Sequence, residues 1–255
     1  MSGARGIALR GMLGRRETHV AELVIDKRAM VASIPIFNEL EDAELDGLLD
    51  IAMTRTLEAD ELLFERGDDG SQVFTIMEGR LKATAEGSDG RELVISIMER
   101  GEVIGEIALF DGERRSLSVT AIEPSRLLVI HRPDFLRFLE RYPSVAIKLL
   151  SALARRVRRV TSLVEDAVFM NVTSRLAKRL LSLARLYGEV TERGMRIGLK
   201  LSQRELGELI GASRETVNKQ LRTWGEGGIL DWGEDGQITI LSPEGLETLA
   251  MLSNL

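Results

Sequence analysis

The chain has 255 residues, 44% of them hydrophobic and 29% charged, with a formal net charge of -6, enough for two modest cores. It contains no cysteine, which excludes disulfides, thiolate metal sites and cysteine-ligated iron–sulfur clusters and agrees with a reducing compartment. No run approaches the ~20 apolar residues that span a bilayer, and the N-terminus lacks the apolar stretch of a signal peptide, so a soluble, cytoplasmic protein with no membrane partner is expected.

Residues 1–32 carry Arg5, Arg10, Arg15 and Arg16 without apolar periodicity. A basic arm on DNA, a disordered tail and a start placed too early all fit that text, and no function is assigned to it. From residue 33 to 131 strand-like runs alternate with turns: ELLFERG, VFTIMEG, LKATAEG, ELVISIME, SLSVTAIE and RLLVIH. Punctuation at Gly67, Gly70, Gly79, Gly87, Gly90 and Gly101 predicts an antiparallel β-roll or barrel over residues 33–142. A sandwich with no ligand produces much the same pattern, so the discriminating text is GEVIGEIALFDGERRSLSVTA, residues 101–121. Gly105 permits a close backbone approach, and Glu106 to Phe110 form a short helix whose amides face an anion. Arg114 and Arg115 follow on the next loop. A carboxylate that accepts from a ribose hydroxyl, free helix amides and a phosphate-clasping guanidinium make a complete set for a nucleotide; the competing reading is a structural turn.

Residues 143–171, PSVAIKLLSALARRVRRVTSLVEDAVFMN, contain no internal breaker and predict one long helix. Leu150, Leu153, Val157, Val160, Val164 and Ala167 recur at three and four, the spacing of a two-helix seam. Packing of a single helix against the β-domain gives a similar stripe. Arg155, Arg156, Arg158 and Arg159 are expected to form its solvated flanks.

Residues 172–255 hold the second predicted domain. In SQRELGELIGASRETVNKQLR, residues 202–222, Ser202 and Glu205 form a capping box that starts a helix with an apolar stripe of Leu206, Leu209 and Ile210. Gly211 suits the left-handed stop and Ser213 the next N-cap, while Val217, Leu221 and Trp224 bury one side of the second helix. The other side presents Arg214, Glu215, Asn218, Lys219 and Arg222, residue types that read base edges or phosphates in the major groove. The N-terminal end of the second helix is where a helix-turn-helix makes its base contacts, which favours a DNA reader over a merely solvated face. Beyond it, 229–231 read as a strand and GEDGQITIL, 233–241, as a hairpin about Asp235-Gly236, so the variant is winged. Basic and acidic side chains balance from residue 172 onward, which puts the net acidity upstream. Aromatics at 4% favour duplex reading over a single-strand stacking platform.

The cassette at 101–121 and the helix-turn-helix resemble those of the cAMP receptor protein branch of the cAMP-receptor/FNR family of bacterial transcription regulators, in the same order over residues 33–250. The resemblance implies an α+β protein: a cyclic-nucleotide-binding β-roll (33–142), a dimerisation helix (143–171) and a winged helix-turn-helix (172–255). It implies that Glu106 holds the ribose, Arg115 the cyclic phosphate with Ser116 assisting, and that Ile104, Gly105 and Ile107 line the pocket. It implies that Arg214, Glu215 and Lys219 read a TGTGA-like half-site while Ser202, Ser213 and Thr216 fix phosphates; Asn218 shares their face and adjusts the outer bases. The seam threonine and following polar residue that meet adenine in that branch fall, by ungapped counting, on Val160 and Thr161. Valine cannot donate that hydrogen bond, which leaves the base open between adenine and guanine; the family as a whole implies cAMP first and cGMP second, and the intact mononucleotide cassette puts a cyclic dinucleotide third.

The expected protein is thus a homodimer that binds double-stranded DNA under control of a cyclic nucleotide, with RNA polymerase as a further partner and no cofactor. Haem or unliganded activity on the same fold is the rival, weakened by having only His19 and His131 as imidazoles. A cyclic-nucleotide hydrolase is the rival of another class; two isolated histidines do not make the clustered metal ligands that such enzymes use, so neither a catalytic residue nor a metal ligand is assigned.

Overall fold

A computed structural model describes residues 27–88, 90, 92–233 and 236–251. The basic N-terminal stretch to residue 26, His19 and Asp235 of the predicted wing turn lie outside the described residues. In chain order the elements are α1 (Asp42–Asp50), β1 (Ala52–Leu57), β2 (Leu62–Phe64), β3 (Gln72–Glu78), β4 (Leu81–Glu86), β5 (Glu92–Met98), β6 (Val103–Ile104), α2 (Glu106–Asp111), β7 (Ser118–Ala121), β8 (Ser125–His131), α3 (Arg132–Arg141) and α4 (Pro143–Phe169). There follow α5 (Val172–Tyr187), β9 (Gly188–Thr191), β10 (Gly194–Lys200), α6 (Gln203–Ile210), α7 (Arg214–Glu226), β11 (Leu230–Trp232), β12 (Gln237–Ile240) and α8 (Pro243–Met251). The content is α+β: a β-rich front, a long helix and a winged helix-turn-helix. Among the described residues no helix is long and apolar enough to cross a membrane.

The chain divides into two compact units, residues 27–81 with 98–153, and residues 82–97 with 154–251. In the first, β1-β8-β3-β6 form an antiparallel sheet, with Ala52 opposite Ile130 and Phe74 opposite both Val129 and Ile104. Alternation along β3 and β8 turns Val73, Met77, Leu128 and Ile130 toward Leu45, Leu48, Phe135, Phe138, Val145 and Leu149 of the covering helices. On the other side β2 pairs with β7 through a bulge between Leu62 and Phe64. That irregularity sits beside the loop from which Arg115 projects.

The second unit is built around Leu176, Leu180 and Leu183 of α5, Leu206 and Leu209 of α6, Val217, Leu221 and Trp224 of α7, and Ile238 and Ile240 of the wing. Its sheet runs β11-β12-β10-β9, so the wing is not the self-contained hairpin expected at 233–241. The arms of that hairpin are β11 and β12, with Trp232 opposite Ile238, and β12 continues onto β10. The hairpin of β4 and β5 contributes Val94 to this same core. Lys82 on β4 pairs with Glu208 of α6 at 3.3 Å, while Arg159 of the long helix donates to Ser96 at 2.7 Å and is therefore not merely a solvated flank.

Along α4 the apolar stripe faces solvent: Leu150, Val157, Val160 and Val164 are all exposed, Leu150 at 61% and Val164 at 59%. Trp224, only 3% exposed, is the largest side chain of the second core. Trp224→Ala removes its volume from a close-packed site and should lower the stability of that unit by about 3–5 kcal/mol. A shift of the urea midpoint followed by circular dichroism measures it, and a loss under 1 kcal/mol would contradict the packing described.

Candidate ligand site and DNA-reading face

Gly105 begins the site because its φ of 83° lies in the left-handed region, and because a Cβ there would meet Arg115 Nη1 at 2.2 Å. Glycine alone lets the guanidinium close over this turn. From that turn α2 starts at Glu106, whose side chain is buried at 2% exposure, and Arg115 enters from the following loop at 5%. Arg115 Nη1 donates to the Gly105 carbonyl at 3.0 Å and Nη2 to the Gln72 carbonyl at 2.6 Å. Its Cζ lies 4.3 Å from the ring centroid of Phe64 and 5.7 Å from that of Phe74. The ring faces attract the cation, and the apolar contact strips its water.

Burial pushes the Arg115 pKa down, while the charges of Glu106 and Asp68 pull it back up. An arginine stays protonated under such pressure, so the net result is a desolvated positive charge. Arg115 Nε is buried without a hydrogen-bond partner among the described residues. An unsatisfied buried donor costs about 1–3 kcal/mol, and more when charged, so this edge calls for an acceptor. Nε with one Nη forms the fork that matches a phosphate. The main chain of the loop is equally fixed: Arg115 N donates to Asp68 O at 2.9 Å and Gly67 N to Arg115 O at 2.9 Å.

The structure therefore brings Ile104, Gly105, Glu106 and Arg115 together, with Ile104 buried behind them. Ile107 and Ser116 are exposed at the same turn and loop. Arg114 points elsewhere: it is exposed, donates to Gly67 O at 2.7 Å and sits 3.8 Å from Asp69. Val160 and Thr161 belong to the second compact unit, on an exposed stretch of α4. The Thr161 hydroxyl donates to Val157 O at 3.0 Å. The residues missed in the sequence are Phe64, Phe74 and the Gln72 carbonyl; their places against Arg115 follow from strand pairing, which leaves no local signal.

In the second unit the helix-turn-helix forms as its caps dictate. Ser202 Oγ accepts from Glu205 N at 3.1 Å while Ser202 N donates to Glu205 at 2.6 Å. Gly211, at φ 67°, ends α6, and Ser213 Oγ accepts from Thr216 N at 3.3 Å to start α7. Val217, Leu221 and Trp224 turn inward, leaving Arg214, Glu215, Asn218 and Lys219 exposed as one strip and Thr216 half-buried beside it. The hydroxyls of Ser202 and Ser213 lie at the two helix starts, where N–H groups also face outward. Lys200, Gln203, Arg204 and Trp232 line a groove of about 680 Å³ with Ser202 and Arg214. Those four were not singled out in the sequence, and only Lys200 and Arg204 carry a composition signal.

Comparison with known proteins agrees with both halves. A cyclic nucleotide-binding domain model matches residues 54–142 and a Crp-like helix-turn-helix domain model residues 174–249. A CRP-like cAMP-activated global transcriptional regulator of Mycobacterium tuberculosis is 32% identical over 192 residues, 75% of this chain and 86% of that protein. A cyclic AMP receptor protein of Thermus thermophilus is 30% identical over 216 residues, covering 85% and 96%. In fold, a c-di-GMP-responsive global regulator of Xanthomonas campestris superposes with TM-score 0.70 at 22% identity, covering 78% of this chain and 99% of that one.

The Glu215 carboxyl is held below the ordinary carboxylate range, first by a hydrogen bond from its own backbone amide, then by the Ser213 hydroxyl and the Arg214 charge. A depressed value keeps the acceptor ionised as pH falls through the usual glutamate range near ~4.3. Whatever it contributes to stability is present at neutral pH and lost as pH drops through the folded value. Ser213→Ala should raise the Glu215 midpoint, read from its side-chain carboxyl carbon by NMR; an unchanged midpoint would remove the hydroxyl from the account.

Proposed function

This chain belongs to the CRP/FNR family of transcription regulators, and we propose that cAMP, captured by Glu106 and Arg115, controls its grip on a palindromic operator. It is a cyclic-nucleotide-binding regulator, not an enzyme, and its small-molecule ligand acts allosterically. The observation that carries the reading is the buried Arg115 guanidinium, pressed against two phenyl rings beside Glu106 with its Nε donor open to an acceptor. In this reading Arg115 takes the cyclic phosphate and Glu106 accepts from the ribose hydroxyl. Ser116 assists at the phosphate, and Ile104, Gly105 and Ile107 shape the wall.

Base identity rests on the long helix. Val160 offers no polar atom, so the base falls to Thr161, whose hydrogen is committed to Val157 O. A hydroxyl in that state presents lone pairs. It accepts from the 6-amino group of adenine and equally from the N1–H or 2-amino group of guanine, so the preference for cAMP rests on the family. The relatives in Mycobacterium and Thermus bear cAMP in their names, which supports the same order. The second reading is cGMP and the third a cyclic dinucleotide; the Xanthomonas regulator shares the fold at 22% identity.

The exposed stripe of α4 supports a two-fold dimer: Leu150, Val157, Val160 and Val164 are too many adjacent apolar side chains to leave in water. A two-fold pair sets two reading heads about one DNA turn apart and requires an inverted repeat. Arg214, Glu215 and Lys219 then read bases of a TGTGA-type half-site, Asn218 adjusts the outer ones, and Ser202, Ser213 and Thr216 hold phosphates. Such a protein works in the cytoplasm, with RNA polymerase as its further partner.

Calorimetry with cAMP, cGMP and c-di-GMP tests the sensor: cAMP should bind most tightly and Arg115→Ala should lose it at least a hundredfold while remaining folded. Unchanged affinity in the variant, or equal DNA affinity with and without nucleotide, would overturn the proposal. For the seam, Val157→Glu buries a charge in any two-helix contact and should convert a dimer to monomer in sedimentation; an unshifted dimer would place the interface elsewhere.

A further inference from the structure

Two amide side chains meet across the helix-turn-helix: Gln203 Nε2 donates to Asn218 Oδ1 at 3.1 Å. Gln203 is the first residue of α6, beside the Ser202 and Glu205 capping box, so its backbone is held from both sides. Its side chain is half-buried and Asn218 is exposed on the reading strip. Both line a groove with Leu221, Arg222 and Trp232.

An unconstrained asparagine has an acceptor oxygen and two donor hydrogens, and it reads adenine by using one of each. Here one lone pair of the oxygen is taken by Gln203, which turns the oxygen toward α6 and leaves only its second lone pair for the 6-amino group of adenine. What Asn218 offers outward is its Nδ2 donors. We propose that Gln203 is a positioning residue for base recognition: it orients the Asn218 amide so that Asn218 selects edges with an acceptor where adenine and cytosine carry an amino group, guanine O6 or thymine O4. This rests on the operator-reading role of α7 and adds to it a residue that touches no base. Pre-ordering the amide also removes a rotamer cost at the moment of binding.

The inference predicts an inversion. Leucine at 203 cannot donate and frees the Asn218 oxygen. Glutamate at 203 can only accept, so it draws the Nδ2 hydrogens toward itself and turns the Asn218 oxygen to the bases. The experiment is selection from a randomised duplex pool by full-length protein with saturating cAMP, followed by sequencing, for wild type, Gln203→Leu, Gln203→Glu and Asn218→Ala. Asn218→Ala identifies the operator position by flattening it. At that position wild type should prefer guanine or thymine roughly tenfold, the size of one good base contact. Gln203→Leu should admit adenine, and Gln203→Glu should move the preference to cytosine or adenine. Uniform loss of affinity from the added charge does not enter, because the readout is the base profile. A wild type that prefers adenine or cytosine there, or variants at 203 that leave the profile unchanged, would overturn the inference alone. A wild type that selects no sequence at all would overturn the operator reading and this inference with it.

Discussion

A guanidinium taken out of water governs the front half of this protein. Arg115 gives two hydrogen bonds to the carbonyls of Gly105 and Gln72, which ties three stretches of chain together, and lies against Phe64 and Phe74. Its charge is far better solvated in water than in this setting, and a neutral carbonyl pair repays only part of the loss. The turn at Gly105 exists to admit it, since any Cβ there would collide with Nη1. Phe64, whose pairing with Val119 is shifted by a bulge from that of Leu62 with Thr120, has its ring centroid 4.3 Å from the guanidinium carbon. A site arranged around an under-solvated cation is a site made for an anion.

The rear half solves a different problem. Its charge is balanced overall, so affinity for a polyanion cannot come from a general positive field and must come from placement. The second core supplies that placement. Val217, Leu221 and Trp224 fix the rotation of α7, and the rotation alone decides that Arg214, Glu215, Asn218 and Lys219 face outward as one strip. The carboxylate of Glu208, buried at 7%, is met by Arg204 at 2.8 Å and by Lys82, which neutralises it within the fold and leaves Arg214 and Lys219 as the basic groups of the strip.

What could be read in the sequence was what depends on neighbours along the chain. The capping box of Ser202 and Glu205, the left-handed Gly211 and the rotation of α7 are local, and each appears where periodicity and cap chemistry put it. The Gly105 turn and its closeness to Arg115 were legible for the same reason, the two being ten residues apart in one short motif. Phe64 and Phe74 were not, because they come from strands forty to fifty residues upstream whose register only the folded sheet defines. The wing was misdivided for an equally physical reason. Apolar alternation in QITI fits either a hairpin on itself or a strand between two others, and the choice was made by β10, whose residues 194–200 carried no turn signal toward it. Val94, a β5 residue, joins the second core through a contact that no local pattern announces.

A ligand shifts a conformational equilibrium only through unequal affinity for the two states. At the phosphate end little inequality is available. Arg115 has five donors, two of which already hold Gly105 and Gln72, and its main chain is pinned to Gly67 and Asp68. A phosphate that takes the Nε edge adds bonds without breaking any of these. Unequal affinity then has to come from contacts beyond that edge.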